Sequence, residues 1–228
     1  MFYEHLSAIS TVFLSKIAKI FRIICEYAKS FIIFVLHILI SNMKYKTITP
    51  RFIVVLSVIA VAAVLRLLPH WPNFTPIAAM ALFGGTYITK KQWAFVIPIS
   101  AMFLSDIVIG FHANIPAVYL SFAITVVIGM AIRRMINPGS VLLAAVASSV
   151  IFFLVTNFSA WLASPFYPQT FTGLLECYGA GLIFFRDQAN GFSFLLNEIL
   201  GTTFFGAVFY GAFYLAEMRF PVLDKTRF

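Results

Sequence analysis

The feature that most constrains this chain is the spacing of charges along an otherwise apolar sequence. From Arg51 to Glu217, pairs of Lys or Arg occupy every second junction between apolar stretches, and the other junctions carry Asp, His, Asn, Tyr and Trp. Of the 228 residues, 61% are hydrophobic and 11% are charged, which is more apolar surface than a soluble domain of this length can bury. The sequence therefore predicts an integral membrane protein with one basic side and one polar, aromatic side.

Six apolar segments reach or approach the roughly 20 residues, with about 17 as a lower limit, that an α-helix needs to cross a bilayer. Pro76 lies in the first turn of the second segment, where proline is tolerated, and Pro98 lies inside the third, which it should kink. The fold class is thus an all-α membrane protein, a bundle of six transmembrane helices. The predicted spans are 52–68, 74–89, 93–111, 115–132, 141–163 and 194–216.

The positive-inside rule orients this bundle, because cytoplasmic loops carry an excess of Lys and Arg. With both termini inside, ten Lys and Arg residues fall at inner junctions, and only Arg66 and Arg186 fall at outer ones. This placement accounts for the net charge of +8 without a nucleic-acid partner. Proteins that bind nucleic acids instead cluster Lys and Arg on one face. The outer loop 164–193 is long enough to be a lid or binding loop, and 171–185 within it is predicted to be interfacial or re-entrant.

Residues 1–42 differ from the rest of the chain. Four charged side chains between positions 19 and 29 share one helical face, which is typical of an amphipathic helix lying on the inner leaflet. The other interpretation is that Met43 starts the working protein and that 1–42 is an upstream extension. The predicted division is an N-terminal extension, 1–42, followed by the transmembrane domain, 43–228. No cleavage site of a signal peptide follows the apolar run 31–40.

Asp106 is the sharpest candidate for a functional side chain, because it lies in an apolar span toward its outer end. An ionisable group at that depth costs about 2.5–3.5 kcal/mol, so such residues usually face a cavity or a partner. One interpretation is a ligand or proton contact, and the other is a helix-end carboxylate that snorkels to water or pairs with Arg66 or His112. Since one Asp and one His do not make a metal site, no metal is predicted.

Other polar and aromatic groups converge on the same outer side. Buried amides in membranes must find partners, so each Asn could bond across helices or reach a ligand. The Trp and Tyr residues could form an interfacial belt or stack a flat ring. This one-sided distribution predicts a small-molecule pocket that opens outward. The predicted substrate-binding residues are Asn73, Asp106, His112, Asn114, Tyr119, Asn157, Trp161, Tyr178 and Asn197.

Small residues predict close helix packing, namely Gly84 with Gly85 in the second span, and Gly201, Gly206 and Gly211 in the sixth. The two cysteines imply no disulfide or metal framework. The sequence has no phosphate-cradling loop, nucleophile elbow or His-Glu-x-x-His motif. We therefore expect no enzyme and no cofactor, and we expect any uphill transport to draw its energy from a partner or an ion gradient.

Four sequence strings carry a resemblance to a known group of proteins. They are RLLPHWPNFTPIAAMALFGG from Arg66, LSDIVIGFH from Leu104, VYLSF from Val118 and GLLECY from Gly173. They resemble an uncharacterised family of bacterial six-span membrane proteins. That family is similar in architecture to the substrate-binding S components of energy-coupling factor (ECF) vitamin transporters. The resemblance covers about 51–214.

The resemblance implies a subunit of the bacterial inner membrane that binds a vitamin-like small molecule on its extracytoplasmic face. It also implies docking on a transmembrane coupling subunit driven by two ATPases. The first span departs from the docking pattern, since Ala60, Ala62 and Ala63 make no Ala-x-x-x-Ala. Two alternatives stay open: a structural protein of cell-envelope or rod-shape assembly without a ligand, and a membrane enzyme that uses Asp106 and His112 on a lipid or quinone.

Overall fold

The fold consists mainly of seven α-helices over the part of the chain that the structure describes. The computed structural model describes residues 49–68, 71–111, 114–183 and 193–223, and these ranges contain no strand. The N-terminal extension and Met43 lie outside the described residues, as do His112 and Arg186. The helices are α1 (Pro50–Leu65), α2 (Ile77–Tyr87), α3 (Lys91–Ile109), α4 (Ile115–Ala131), α5 (Pro138–Ala163), α6 (Phe171–Ile183) and α7 (Phe194–Arg219).

Four of these helices, α3, α4, α5 and α7, are long and apolar enough to cross a membrane, which is the pattern of a multi-pass membrane protein. Helices α1 and α2 are apolar but shorter, at 16 and 11 residues. At 1.5 Å per residue, α2 is about 16 Å long, roughly half the thickness of the hydrocarbon core. The predicted span 74–89 therefore becomes a shorter helix that begins after Pro76.

Helix α2 lies at the centre of the bundle, because every residue from Ala78 to Thr86 is buried. Its closest neighbour is α4. A Cβ atom added at Gly85 would overlap the carbonyl oxygen of Val126, and one added at Gly129 would overlap the carbonyl oxygen of Leu82. The two backbones can approach only because both positions lack a side chain, so the predicted role of small residues in α2 is confirmed.

The glycines of α7 divide into two kinds. A Cβ atom at Gly201 would lie 3.0 Å from the Cα atom of Phe74, so this glycine makes the predicted close contact. At Gly206 and Gly211 a Cβ atom would meet nothing within 4 Å. No described residue makes a close contact at these two positions, and the missing side chains leave open space within the chain.

Arginines organise one end of the bundle, where α1, α3 and α5 begin and α2, α4 and α7 end; we call it the basic end. Arg133 donates to the carbonyl oxygens of Gly85 (2.7 Å), Ile88 (2.5 Å) and Thr89 (3.1 Å). It thereby satisfies carbonyl groups at and beyond the C-terminus of α2, which a helix cannot pair internally.

Arg51 joins the two ends of the described chain at the same place. Its guanidinium lies 2.5 Å from the Glu217 carboxylate and donates to the Leu223 carbonyl oxygen (2.7 Å). The guanidinium carbon also lies 5.3 Å and 5.1 Å from the ring centres of Tyr87 and Phe213. Arg51 and Arg133 thus hold helix ends together at the basic end.

Candidate functional site

The other end of the bundle, which we call the polar end, contains an ion pair buried between α1, α3 and α4. The Nη2 atom of Arg66 lies 2.6 Å from Oδ1 of Asp106, and the two side chains are 10% and 2% exposed. The hydroxyl of Tyr119 donates to the other oxygen, Oδ2, at 2.8 Å. Arg66 donates in addition to the Ser105 hydroxyl and, at 3.3 Å, to the Met102 carbonyl oxygen.

This network shows how Asp106 is paired among the described residues. Both carboxylate oxygens are engaged by Arg66 and Tyr119, so the charge is neutralised inside the protein. A buried charge is tolerated when it is paired and hydrogen-bonded, which is the arrangement here. The structure thus brings Asp106 and Tyr119 together, and it adds Arg66, which the sequence analysis named only as an alternative partner.

A second cluster joins the α1–α2 connection to the start of α7. Asn197 is fully buried, and its Nδ2 donates to the Pro72 carbonyl oxygen at 2.9 Å. Asn73 donates in return to the Phe194 carbonyl oxygen at 3.5 Å. Asn73 has a positive φ of 63°, a left-handed conformation that asparagine tolerates better than most residues. The Oδ1 atom of Asn197 has no hydrogen-bond partner in the described part of the chain.

Glu198, one residue further along α7, is a functional candidate that the sequence-based set omits. Its side chain is buried, at 3% exposure, and accepts a hydrogen bond from the Thr202 hydroxyl at 3.2 Å. Among the described residues no Lys, Arg or His forms an ion pair with it. The backbone carbonyl of Glu198 accepts from the Ser149 hydroxyl of α5 at 3.3 Å. The signal available from the sequence was an acid in an apolar span, next to the predicted site residue Asn197.

The remaining candidates follow the half of α5 that lies at the polar end. Asn114 donates through Nδ2 to the Thr156 carbonyl oxygen at 3.2 Å, and its buried Oδ1 has no partner within the described ranges. Asn157 donates to the Phe153 carbonyl oxygen of its own helix at 2.9 Å. Its amide is thus bonded locally rather than across helices.

Helix α6 packs on this half of α5 and corresponds to the segment predicted to be interfacial or re-entrant. The Tyr178 hydroxyl donates to the Leu154 carbonyl oxygen at 2.8 Å, and Trp161 Nε1 donates to the Pro168 carbonyl oxygen at 2.8 Å. Cys177 is 4% exposed, and burial raises the pKa of its thiol above the ordinary value. Both aromatic side chains therefore anchor the segment 164–183 to α5.

The predicted set therefore separates into three groups at the polar end, and His112 lies outside the described residues. The first is Asp106 with Tyr119, the second is Asn73 with Asn197, and the third comprises four residues along α5. On α5, Ser149 contacts Glu198 and Thr156 contacts Asn114. These two α5 residues are seven positions apart, about 10 Å along the helix axis. Helix α5 thus links the second and third groups. The third group is Asn114, Asn157, Trp161 and Tyr178.

No three His, Cys, Asp or Glu side chains of the described residues lie close enough to hold a metal ion. A cavity of about 690 Å³ lies between α5 and α7, and Tyr87 and Pro138 are among its lining residues, which places it at the basic end. This cavity was not predicted from the sequence, because the two glycines that line it, Gly206 and Gly211, suggested close packing.

A family model matches residues 46–223, which is most of the chain, and its description is "Family of unknown function (DUF6580)". The chain belongs to DUF6580. No curated protein matches it, and no solved structure matches it. The match begins at residue 46, so residues 1–42 lie outside the part that DUF6580 defines. An uncharacterised family was the expectation from the four sequence strings, and the family description assigns no activity.

Proposed function

We propose that this DUF6580 protein is a membrane-embedded substrate-binding subunit, similar to the S components of ECF transporters, that binds a vitamin-like small molecule. Binding would take place at the polar end, facing the extracytoplasmic side of the cell inner membrane. The observation that carries this proposal is the pair of neighbours on α7, Asn197 with an unpaired buried oxygen and Glu198 with a buried carboxyl group.

Unpaired polar atoms are costly inside a protein. More than nine in ten buried polar groups in proteins have a hydrogen-bond partner, and within a bilayer an unpaired group costs several kcal/mol. Asn114 Oδ1 is a second unpaired acceptor at the same end. All of these atoms are oxygens that accept hydrogen bonds. A ligand with N–H donors, such as a heteroaromatic ring or an amine, would satisfy them.

The proposal includes a topology of six spans, in which α1 and α2 cross together with the four longer helices. Helix α2 is short for a bilayer, but it is surrounded by other helices and needs no lipid contact of its own. Both termini would be cytoplasmic, as the basic end requires. A coupling subunit with two ATPases would dock there, and the protein itself would carry out no catalysis.

Extraction in mild detergent, followed by mass spectrometry of bound small molecules and co-purifying proteins, tests this function. We expect one stoichiometric metabolite with N–H donors, and we expect Asn197→Ala to lose it. Asn137→Ala is the matched control, because this amide caps α5 at the basic end. Wild-type protein without any stoichiometric metabolite would reject the proposal, and so would retention of the metabolite in Asn197→Ala.

A structural role in cell-envelope assembly is the second candidate, and one observation favours it. The side chains of Asp106, Tyr119, Asn73, Asn157 and Tyr178 are all engaged within the chain, as expected of groups that only hold helices together. This role predicts stoichiometric cell-envelope proteins and no metabolite in the same extraction.

A further inference from the structure

The cavity at the basic end is the second feature of the molecule that is suited to a ligand. Its volume of about 690 Å³ falls within the range of about 300–1,000 Å³ that is typical of pockets for small molecules. One wall is the first two turns of α5, from Pro138 to Ala145, and the other is the middle of α7, from Thr203 to Tyr214. Tyr87, at the end of α2, closes it toward the bundle.

The cavity stays open because α7 lacks side chains where they would fill it. Gly206 and Gly211 both line the space, and a Cβ atom at either position would meet nothing within 4 Å. Further along the same two helices, the Ser149 hydroxyl lies 3.3 Å from the Glu198 carbonyl oxygen, so α5 and α7 are close there. The two helices therefore enclose a space only toward the basic end.

The cavity opens on the lipid-facing surface of the two helices. Leu142 and Tyr214, which line it, are 50% and 61% exposed. Both belong to helices of membrane-spanning length, so their exposed surfaces lie against acyl chains and not against water. A lipid chain can thus enter sideways, and an apolar lining favours it over a polar solute.

A basic residue close in the sequence to the cavity lining favours one kind of lipid. Arg134 is exposed and stands two residues before Ile136, which lines the cavity. Its neighbour Arg133 donates to three carbonyl oxygens, whereas Arg134 makes no hydrogen bond or ion pair with the described residues. The N-terminus of α5 follows directly, and its helix dipole also favours an anion. Basic pockets between helices on the cytoplasmic side commonly hold anionic headgroups.

We propose that this cavity binds one anionic phospholipid, with an acyl chain between α5 and α7 and the phosphate group at Arg134. The lipid would fill the space that the two glycines leave and would brace the ends of both helices. The lipid site does not depend on the small-molecule site, since the two lie at opposite ends of the bundle and share no residue.

Native mass spectrometry of the purified full chain tests the site with two lipids that have the same acyl chains. We expect one molecule of phosphatidylglycerol to be retained in preference to phosphatidylcholine. Arg134→Gln should lower retention of phosphatidylglycerol about fivefold, the effect of one cation near an anionic lipid surface. Gly211→Leu should lower retention of both lipids, because its side chain would occupy the cavity.

Ala212→Leu is the matched control, since this neighbouring position is exposed and does not line the cavity. If Gly211→Leu does not fold, Gly211→Ala adds one methyl group to open space and should weaken retention in the same direction. Equal retention of both lipids by the wild type would overturn the proposal. Unchanged retention in a folded Gly211→Leu protein would overturn it too, as would a stoichiometric protein subunit bound in place of lipid.

Discussion

Replacing Asp106 with alanine is the change whose consequence the structure defines best. It would leave the Arg66 guanidinium buried, at 10% side-chain exposure, without its carboxylate. Removing one member of a buried ion pair typically costs about 3–5 kcal/mol, because the other charge stays desolvated. Arg66 keeps the Ser105 hydroxyl and the Met102 carbonyl oxygen as acceptors, so we expect the lower end of that range, about 3 kcal/mol.

Two companion variants distinguish the loss of the ion pair from the loss of side-chain packing. Arg66→Met alone should also be destabilising, because it leaves the carboxylate of Asp106 buried with only Tyr119 as a partner. The double variant Arg66→Met with Asp106→Ala removes both charges, and such replacements are often nearly neutral. We therefore expect the double variant to lose less stability than either single variant, which is a strongly non-additive cycle.

Reversible unfolding in mixed micelles, followed by tryptophan fluorescence, measures these free energies. In thermal scans a loss of about 3 kcal/mol corresponds to a fall in Tm of about 6–12 °C for a chain of this length. Additive losses in the double variant would refute the ion-pair reasoning. Unchanged stability of Asp106→Ala, together with loss of a bound metabolite, would instead make Asp106 a ligand contact.

Three further predictions follow from the packing. Gly85→Ala should abolish folding or lower the free energy of unfolding by more than about 1–3 kcal/mol in the same assay, because its methyl group would overlap a carbonyl oxygen of α4. Gly211→Ala should change the free energy of unfolding by no more than about 0.5 kcal/mol, because its methyl group would enter open space. Arg133→Ala should cost about 1.5–3 kcal/mol, because it removes charged hydrogen bonds at the end of α2, whereas Arg134→Ala should have little effect on stability. With the other cysteine replaced by serine, Cys177 should react slowly with a maleimide at pH 7, because burial raises the pKa of its thiol and lowers the thiolate fraction. The rate of labelling should keep rising above pH 9. Fast labelling of folded protein at pH 7 would contradict this prediction.

The sequence was informative wherever a single residue type has one physical use. Gly85 had to allow close approach of a neighbouring helix, and it does. The segment 171–185 was predicted to be interfacial or re-entrant, and it contains a separate 13-residue helix, α6. Gly206 and Gly211 show the limit, because a glycine permits a close contact without requiring one.

The candidate site was less predictable, because pairing depends on which helices become neighbours. Asp106 could pair, bind or reach water, and only the approach of α1 and α4 placed Arg66 and Tyr119 on its two oxygens. Glu198 carried the same signal as Asp106, yet only the structure shows that it is buried without a basic partner among the described residues.

By itself the sequence determined that the helices of this protein suit a lipid environment, that the fold is all-α, and that Lys and Arg collect at one end of the bundle. These follow from composition and from spacing along one chain, since about 20 apolar residues suit lipid and paired cations suit the cytoplasmic side. Only the tertiary structure decided which polar groups are satisfied, where α5 and α7 enclose a cavity, and that α2 is buried at the centre. Each of these depends on distances between helices, which arise from packing many side chains at once and which no local pattern encodes.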